Sequence, residues 1–345
     1  MMFNSSSVPL PKCVTPFRIR SNIDLDTDDM HALDSLDRGK EGVIGWLQIL
    51  AKYCQKSFYI AIVVTMSPIS RLSINSTIRL TTGYDMPMIG FGVYQNYNAT
   101  VSTLEAFKAG YRLIDTAQAY RNEKHVGQAV RESGIDRSKV FVVTKCVSKT
   151  HGYETTKKGL DESLSSLEFA DYIDLFLIHD PFSGKERRLE TYKALLEGKA
   201  EGKIRSVGVS NFNIKHIEEL REAGYELPAV NQIELHPFCQ QKPIVKYCKE
   251  NNIAVQAYCP IVRGKMDHPV INELATKHSR EPAQILLRWS VQHGYVPLPK
   301  SEKTERIHSN VDIFGFELDD KDMQTLDALD RGKKGAVSWN PVDVD

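Results

Sequence analysis

From residue 78 onward, short runs of β-branched and aromatic residues alternate with stretches of helical periodicity. Eight runs have the length and composition of strands, and they lie at residues 87–92, 111–115, 140–145, 172–179, 204–211, 229–234, 253–258 and 295–300. Eight strands that alternate with helices match a closed barrel better than an open doubly wound sheet. We therefore predict an α/β protein with a (β/α)8 TIM barrel.

Two further patterns support this fold. Residues 78–90 have the pattern of a hairpin whose turn lies near Gly83. We expect this hairpin to close the bottom of the barrel, opposite the mouth at which the strands end. Glycines shortly before five of the strands mark predicted helix ends with left-handed caps, at Gly110, Gly134, Gly202, Gly224 and Gly294.

Composition limits the possible partners and compartment. Among 345 residues, 44 basic side chains balance 44 acidic ones, so no long-range field favours nucleic acid or an anionic membrane. The apolar run at residues 58–64 is far shorter than the ~20 residues needed to span a bilayer. The six cysteines have no C-x-x-C spacing and no metal-site histidine partner, which indicates free thiols in a reducing compartment. We predict a cytoplasmic protein without a metal, nucleic acid or membrane partner.

Polar and aromatic side chains lie at the C-terminal ends of the predicted strands. They are Asp115, Lys145, His179, Ser210, Asn211, Gln232, Tyr258 and Lys300. The strand ends of a barrel form one face, and barrel enzymes assemble their active sites there. We therefore expect these side chains to converge.

Four residues on three successive strand ends suggest carbonyl chemistry. A tyrosine hydroxyl with its ordinary pKa of about 10 is a poor proton donor near neutrality, and a nearby ammonium lowers that value. Lys145 could supply the charge to Tyr120, with Asp115 holding the lysine and His179 orienting a carbonyl oxygen. Taken singly, Asp115 could cap a turn, Lys145 could be solvated and His179 could be structural. Their occurrence together favours a catalytic set.

Several segments between residues 78 and 345 resemble the aldo-keto reductase family: "GFGVY", "DTAQAYRNEKHVG", "VVTKC", "DLFLIHDP", "GKIRSVGVSNF", "AVNQIELHP", "QAYCP" and "VPLPKSEKTERIHSN". The resemblance implies an NADPH-dependent carbonyl reductase on a barrel. It places the family's catalytic tetrad on Asp115, Tyr120, Lys145 and His179. It also implies a nicotinamide amide clamp and a ring that stacks on the nicotinamide, at Ser210, Asn211, Gln232 and Tyr258.

Cofactor choice depends on the segment "KSEKTERIHSN". The 2′-phosphate that distinguishes NADPH from NADH favours cationic and fork-shaped donors. Lys300, Ser301 and Arg306 resemble the family's phosphate clamp, and Asn310 corresponds to a residue near the adenine. A solvated basic face would explain the charges but not their position after the eighth strand, where barrels tend to hold phosphates. We predict NADPH rather than NADH.

The predicted reaction is reduction of an aldehyde or ketone, with hydride from the nicotinamide and a proton from Tyr120. We expect a small-molecule carbonyl substrate and a monomer or weak homodimer. Tyr94, Tyr120 and His179 would line the substrate pocket. Tyr94 replaces a tryptophan found in many members, and Asp180 replaces a neutral residue beside His179, so the substrate stays open. The alternative is an NADPH-binding, redox-sensing regulatory subunit resembling the potassium-channel β subunits.

One phrase occurs twice. "VPLPKCVTPFRIRSN" at residues 8–22 is similar to "VPLPKSEKTERIHSN" at 296–310. After these segments the similarity continues, since residues 25–46 resemble residues 318–339. Two copies at opposite ends are too few for a repeat fold. We predict that residues 1–65 are a poorly ordered extension that partly duplicates a reductase C-terminus. Residues 66–345 would form the barrel domain, and Lys12 and Arg18 have no predicted function.

Overall fold

A β-hairpin lies at the start of the described part of the chain, which in this computed structural model comprises residues 72–168 and 172–345. Strand β1 (Thr77–Arg79) pairs antiparallel with β2 (Asp85–Pro87). Gly83 lies in the turn with a φ of 87° and donates its N–H to the Leu80 carbonyl over 2.9 Å. Only glycine adopts such a φ readily, so the predicted turn position is confirmed.

The centre of the fold is a parallel sheet of eight strands in sequential order. These are β3 (Phe91–Gly92), β4 (Leu113–Asp115), β5 (Phe141–Cys146), β6 (Ile173–Ile178), β7 (Ile204–Ser210), β8 (Val230–Glu234), β9 (Ala254–Tyr258) and β10 (Val296–Pro297). Backbone hydrogen bonds from Gly90 to the Pro297 carbonyl (3.0 Å) and from Gly92 to the Pro299 carbonyl (2.9 Å) join the first strand to the last. The sheet is therefore a closed barrel, and the predicted fold is confirmed.

Helices connect the strands on the outside of the barrel. They are α1 (Ala99–Lys108), α2 (Glu123–Glu132), α3 (Tyr153–Leu167), α4 (Lys185–Ala200), α5 (Ile214–Glu222), α6 (Lys242–Glu250), α7 (Pro269–His278), α8 (Pro282–Gln292), α9 (Thr304–Ser309) and α10 (Asp320–Asp327). One helix follows each strand from β3 to β8, whereas α7 and α8 together connect β9 to β10. The glycines predicted at helix ends all have positive φ angles.

The first and last barrel strands are shorter than predicted. Residues 87–92 and 295–300 were expected to be strands, but only Phe91–Gly92 and Val296–Pro297 are. Prolines at positions 297 and 299 have no N–H to donate, so hydrogen bonds at this seam run in one direction only. The ladder is therefore too sparse to extend further.

Hydrophobic side chains fill two layers because successive residues of a strand face opposite sides. On β6, Leu175 and Leu177 point into the barrel interior, whereas Phe176 and Ile178 pack against the helices. Met86 of the hairpin belongs to the interior cluster and is fully buried. Thr82 also contacts Ser206 near the start of β7, with 2.7 Å between the hydroxyl oxygens. The hairpin thus closes the bottom of the barrel, as predicted.

Several predictions concern residues that the structure does not describe. The extension at residues 1–65, the start of the barrel domain at residue 66, Cys13 and Cys54 all lie outside the described residues. Cys146, Cys239, Cys248 and Cys259 are free thiols. No helix within residues 72–168 and 172–345 is long and apolar enough to cross a membrane.

Candidate active site

A buried ion pair occupies the centre of the barrel mouth. Lys145, at the end of β5, is fully buried, and its Nζ donates to Asp115 Oδ1 and to the Thr116 carbonyl, each over 2.7 Å. A buried ammonium requires such partners, since removing it from water is costly. Burial lowers the pKa of Lys145, and the charge of Asp115 opposes that shift. Asp115 therefore holds the lysine in place and in its charged form.

Tyr120 and His179 meet above this pair. Tyr120 lies on a short 3-10 turn after β4, and its hydroxyl is 3.4 Å from His179 Nε2. The Lys145 ammonium is 5.0 Å from the centroid of the Tyr120 ring. His179 follows β6 directly, and its backbone N–H donates to the Cys146 carbonyl over 2.8 Å. The structure thus brings all four predicted tetrad residues together.

Side-chain hydrogen bonds connect the turn that carries Tyr120 to α3 and to the loop after β3. Gln118 Nε2 donates to the Gly159 carbonyl of α3 over 2.8 Å. Asn122 Nδ2 donates to the Val93 carbonyl, after β3, over 2.8 Å. These amides were not singled out in the sequence, although they flank Tyr120 and are of the type that often bonds to backbone. They fix the position of the phenol without touching it.

The predicted lowering of the Tyr120 pKa is wrong for this structure. Burial raises the pKa of the phenol well above its ordinary value, and the negative charge of Asp115 acts in the same direction. Lys145 keeps its charge, but its pairing with Asp115 leaves the direction of the Tyr120 shift unchanged. Tyr120 is therefore a neutral phenol that has a proton to donate.

His179 is held in its neutral form. Burial lowers its pKa well below the usual value, and the charges of Lys145 and His151 add to that shift. A neutral imidazole carries one N–H, and only a proton on Nε2 would face the Tyr120 hydroxyl and the barrel mouth. A neutral His179 with its proton on Nε2 has a hydrogen-bond donor at the barrel mouth and carries no charge.

The residues of the predicted nicotinamide clamp form a connected set. Ser210 donates to the Gln232 carbonyl over 2.8 Å, and Asn211 Nδ2 donates to Ser210 Oγ over 3.1 Å and to the His179 carbonyl over 3.0 Å. The Tyr258 hydroxyl donates to Asn211 Oδ1 over 2.8 Å. These bonds fix the amide of Asn211 and the ring of Tyr258 beside the tetrad histidine.

Gln232 has a second connection that was not anticipated. Its Nε2 donates to Asp115 Oδ2 and to Gln256 Oε1, each over 2.8 Å. Gln256, on β9, is fully buried inside the barrel. Its position in "QAY", two residues before Tyr258, could have indicated an inward-facing side chain. Gln232 therefore links the cofactor side of the mouth to the tetrad carboxylate.

The predicted phosphate clamp follows β10. Lys300 Nζ lies 3.2 Å from Glu302 Oε1, and Ser301 Oγ accepts the N–H of Lys303 over 3.1 Å. Arg306 is exposed on α9, and Asn310 is buried at the end of that helix. The structure places these residues on one loop and helix, with Glu302 as an ion-pair partner that the sequence did not indicate.

Three half-exposed aromatic rings surround the tetrad. Tyr94 lies 5.0 Å from Tyr120, and Trp339 lies 5.7 Å from His179 and 5.8 Å from Phe182, between ring centroids. Only Tyr94 was predicted to line the pocket. Trp339 was missed because it is far from the other site residues in sequence. The rings give the mouth a flat apolar rim.

Asp180, which stands beside His179 where a neutral residue is common in the family, is buried beneath this rim. The side chain is only 2% exposed. Its two carboxylate oxygens accept the backbone N–H groups of Ser148 (3.3 Å) and Phe182 (3.2 Å). The carboxylate therefore organises loops beside His179.

A scan against family models matches residues 89–331 to the Aldo/keto reductase family. The chain belongs to this family. The match covers every barrel strand and the tetrad, and it confirms the prediction of an NADP-dependent oxidoreductase.

Characterised relatives cover the barrel almost completely. Glyoxal reductase of Bacillus subtilis is 43% identical over 276 residues, which is 79% of this chain and 98% of that protein. Morphine 6-dehydrogenase of Pseudomonas putida is 40% identical over 284 residues, 78% of this chain and 95% of the relative. Both names describe oxidoreductases.

Solved structures agree with the fold. An aldo-keto reductase, MGS-M4, from a deep-sea metagenome library of the Medee basin has a TM-score of 0.72 at 38% identity and covers 74% of this chain and 96% of its own. A variant of Gox0644 in complex with NADPH has a TM-score of 0.73 at 37% identity, covering 78% and 98%. Together with family membership, this complex supports NADPH as the cofactor.

Proposed function

We propose that this aldo-keto reductase reduces small aldehydes and ketones to alcohols with NADPH, and that glyoxal-type dicarbonyls are among its substrates. The observation that carries the proposal is the buried Lys145–Asp115 pair beside a Tyr120 hydroxyl that lies 3.4 Å from His179. The glyoxal reductase at 43% identity motivates the dicarbonyl class.

The residues of the cofactor side fit a nicotinamide. The side-chain N–H groups of Asn211 donate hydrogen bonds to His179 and Ser210. Those of Gln232 donate to Asp115 and Gln256. Their amide oxygens keep acceptor lone pairs, which suit the N–H groups of a carboxamide. Tyr258 supplies a flat ring, and Lys300 with Arg306 supplies cations for the 2′-phosphate. NADPH supplies the hydride when bound.

Side chains of the protein orient the carbonyl oxygen of the substrate and protonate it. Neutral His179 donates a hydrogen bond to that oxygen and orients it, which places the carbonyl carbon for attack. As the oxygen becomes basic, the Tyr120 phenol transfers its proton to it. Lys145 stabilises the phenolate that remains, and Asp115 keeps the lysine charged.

Tyr120→Phe tests the assignment because it removes the proton donor while keeping the ring. We expect kcat to fall at least about 100-fold, since general acid catalysis contributes that much or more. The measurement is steady-state NADPH consumption with a panel containing glyoxal, methylglyoxal, propanal and 4-nitrobenzaldehyde. Tyr84→Phe is the matched control, because Tyr84 lies in the hairpin loop at the opposite end of the barrel.

Full turnover by the Tyr120→Phe variant would contradict the proposed acid. A wild-type protein that binds NADPH tightly but consumes it with none of these carbonyls would instead favour the regulatory-subunit alternative. Activity with propanal and 4-nitrobenzaldehyde but not with glyoxal would remove only the dicarbonyl part of the proposal.

A further inference from the structure

One wall of the active-site mouth is formed by residues 337–345, called the strap below. Trp339 of the strap is half-exposed, and its ring lies 5.7 Å from the His179 ring and 5.8 Å from the Phe182 ring. A substrate held by His179 therefore meets Trp339. The position of this ring depends on how the strap is attached to the barrel.

The first attachment is a buried carboxylate. Glu234, the last residue of β8, is fully buried. Its Oε1 accepts the N–H of Val337 over 2.5 Å, and both carboxylate oxygens lie 3.2 Å from the N–H of Ser338. His236 Nε2 is 3.1 Å from the same Oε1. Charge-assisted bonds of this kind are stronger than neutral ones. They fix the backbone N–H groups of the two residues that precede Trp339.

The second attachment holds the far end of the strap. Arg188 is fully buried and makes a bidentate pair with Glu219, with Nη2 2.9 and 2.8 Å from the two carboxylate oxygens. Its Nη1 donates to the Pro181 carbonyl over 2.7 Å and to the Asp345 backbone oxygen over 3.2 Å. One guanidinium thus holds both the end of the strap and the residue before Phe182.

The approach to the strap also requires a close backbone contact. A Cβ at Gly335 would lie 1.7 Å from the carbonyl oxygen of Phe238, in the loop after β8. No side chain fits this contact without moving the backbone. The path of residues 335–338 is therefore fixed by packing as well as by Glu234.

We propose that Glu234 is a positioning residue that determines selectivity for carbonyl substrates bearing a flat apolar group, because it fixes the strap with Trp339 against His179. This inference rests on the proposed carbonyl reductase function. Glu234 acts through Trp339 and does not touch the substrate. A flat ring gains from offset or edge contacts with Trp339, Phe182 and Tyr94, whereas a short aliphatic aldehyde gains little from them.

Glu234→Gln keeps the side-chain shape but turns an amide donor toward backbone N–H groups. We expect KM for 4-nitrobenzaldehyde to rise about 10-fold, within the range that pocket contacts contribute to discrimination. KM for propanal should change less than about twofold, and kcat for both substrates should change less than KM for 4-nitrobenzaldehyde. Trp339→Ala should give the same pattern, and the double variant should add nothing further. Glu250→Gln, an exposed carboxylate on α6, is the control.

A second readout does not need turnover. With 5-fluorotryptophan at positions 46, 289 and 339, the ¹⁹F signal of Trp339 is assigned by its loss in Trp339→Phe. In Glu234→Gln and in Gly335→Ala, this signal should narrow and move toward that of the free amino acid, while the Trp289 signal stays. An unchanged Trp339 signal, or equal loss of activity with both aldehydes, would overturn the proposal. If the wild type reduces no carbonyl while the signal moves, the proposed function fails and the attachment by Glu234 stands.

Discussion

At the scale of single residues, the site depends on polar groups whose hydrogen bonds are already formed. Gln232 binds Asp115, Asp115 binds Lys145, and Asn211 binds the carbonyl of His179. Each bond orients the next group before any substrate arrives, so little reorganisation is needed during the reaction. A change in one side chain therefore affects its neighbours as well.

The phosphate clamp gives a residue-scale prediction for the cofactor. Lys300→Met and Arg306→Ala should each raise KM for NADPH about 10-fold or more, because each removes a cation that we propose to bind the 2′-phosphate. KM for NADH should stay nearly constant. Steady-state kinetics with both cofactors are the measurement, and Lys303→Met, a neighbouring exposed lysine, is the control. Equal effects on NADPH and NADH would contradict the assignment of the clamp.

His216 gives a prediction for stability against pH. Burial and the charge of Arg188 lower the pKa of His216 to about 4. In the unfolded chain His216 binds a proton below about pH 6.5, whereas in the folded chain it binds one only below about pH 4. The free energy of unfolding therefore decreases as the pH falls from about 6.5 to about 4.

The test compares wild type with His216→Gln by urea unfolding at pH 7 and pH 5. Between pH 7 and pH 5, the free energy of unfolding should decrease by about 1 kcal/mol more in the wild type than in the variant, after allowing for solvent screening. His308→Gln, an exposed histidine at the surface, is the control. Identical losses in wild type and His216→Gln would show that His216 does not titrate as proposed.

At the scale of elements, close contacts between helices and strands set the geometry of the mouth. Gly127 lies on α2 where the carbonyl end of α3 approaches, and a Cβ there would be 2.0 Å from the Leu167 oxygen. The same pair of helices flanks the turn of Tyr120. Packing of α2 on α3 is therefore connected to the position of the Tyr120 phenol.

Gly127→Ala should destabilise the fold by about 1 to 3 kcal/mol through overpacking. Helix propensity alone predicts the opposite sign, since alanine is about 1 kcal/mol better than glycine inside a helix. Urea unfolding measures the difference. Gly315→Ala is the control, because a Cβ there meets side chains rather than backbone, with the flexible end of Arg280 at 3.2 Å and Asp312 Oδ1 at 4.0 Å. An increase in stability for Gly127→Ala would mean that α2 and α3 are farther apart than described.

At the scale of the whole molecule, every residue that we assign to the proposed reaction lies among the described residues. The family match at residues 89–331, the closed barrel and the strap all lie after residue 71. The earlier copy of the phosphate-clamp phrase at residues 8–22 has no tetrad residue near it in sequence. We propose that residues 1–65 contribute neither to the barrel nor to the reaction.

A chain that starts at Met66 tests this proposal. Its free energy of unfolding should agree with that of the full chain within about 0.5 kcal/mol, the range of changes at sites without a structural role. Its kcat and KM for NADPH should also be unchanged. Thermal and urea unfolding with steady-state kinetics are the measurements. A large loss in stability or turnover would show that the extension is part of the fold.

The sequence by itself determined the barrel, and it indicated which four side chains the barrel brings together at its mouth. Strand periodicity and glycine-marked helix ends are local patterns, and Asp115, Lys145 and His179 stand at strand ends that a barrel must bring together. The strand predicted at residues 295–300 was too long, and the cause was local as well, since prolines 297 and 299 interrupt the hydrogen-bond ladder.

Only the tertiary structure decided how these residues behave. The raised pKa of Tyr120 depends on burial by distant segments, and the sequence indicated the opposite direction. Trp339 reaches His179 because Glu234 holds the strap across the mouth, a contact between residues far apart in the chain. Burial, desolvation and hydrogen bonds between distant groups arise only when the chain is folded, so they have no local signature in the sequence.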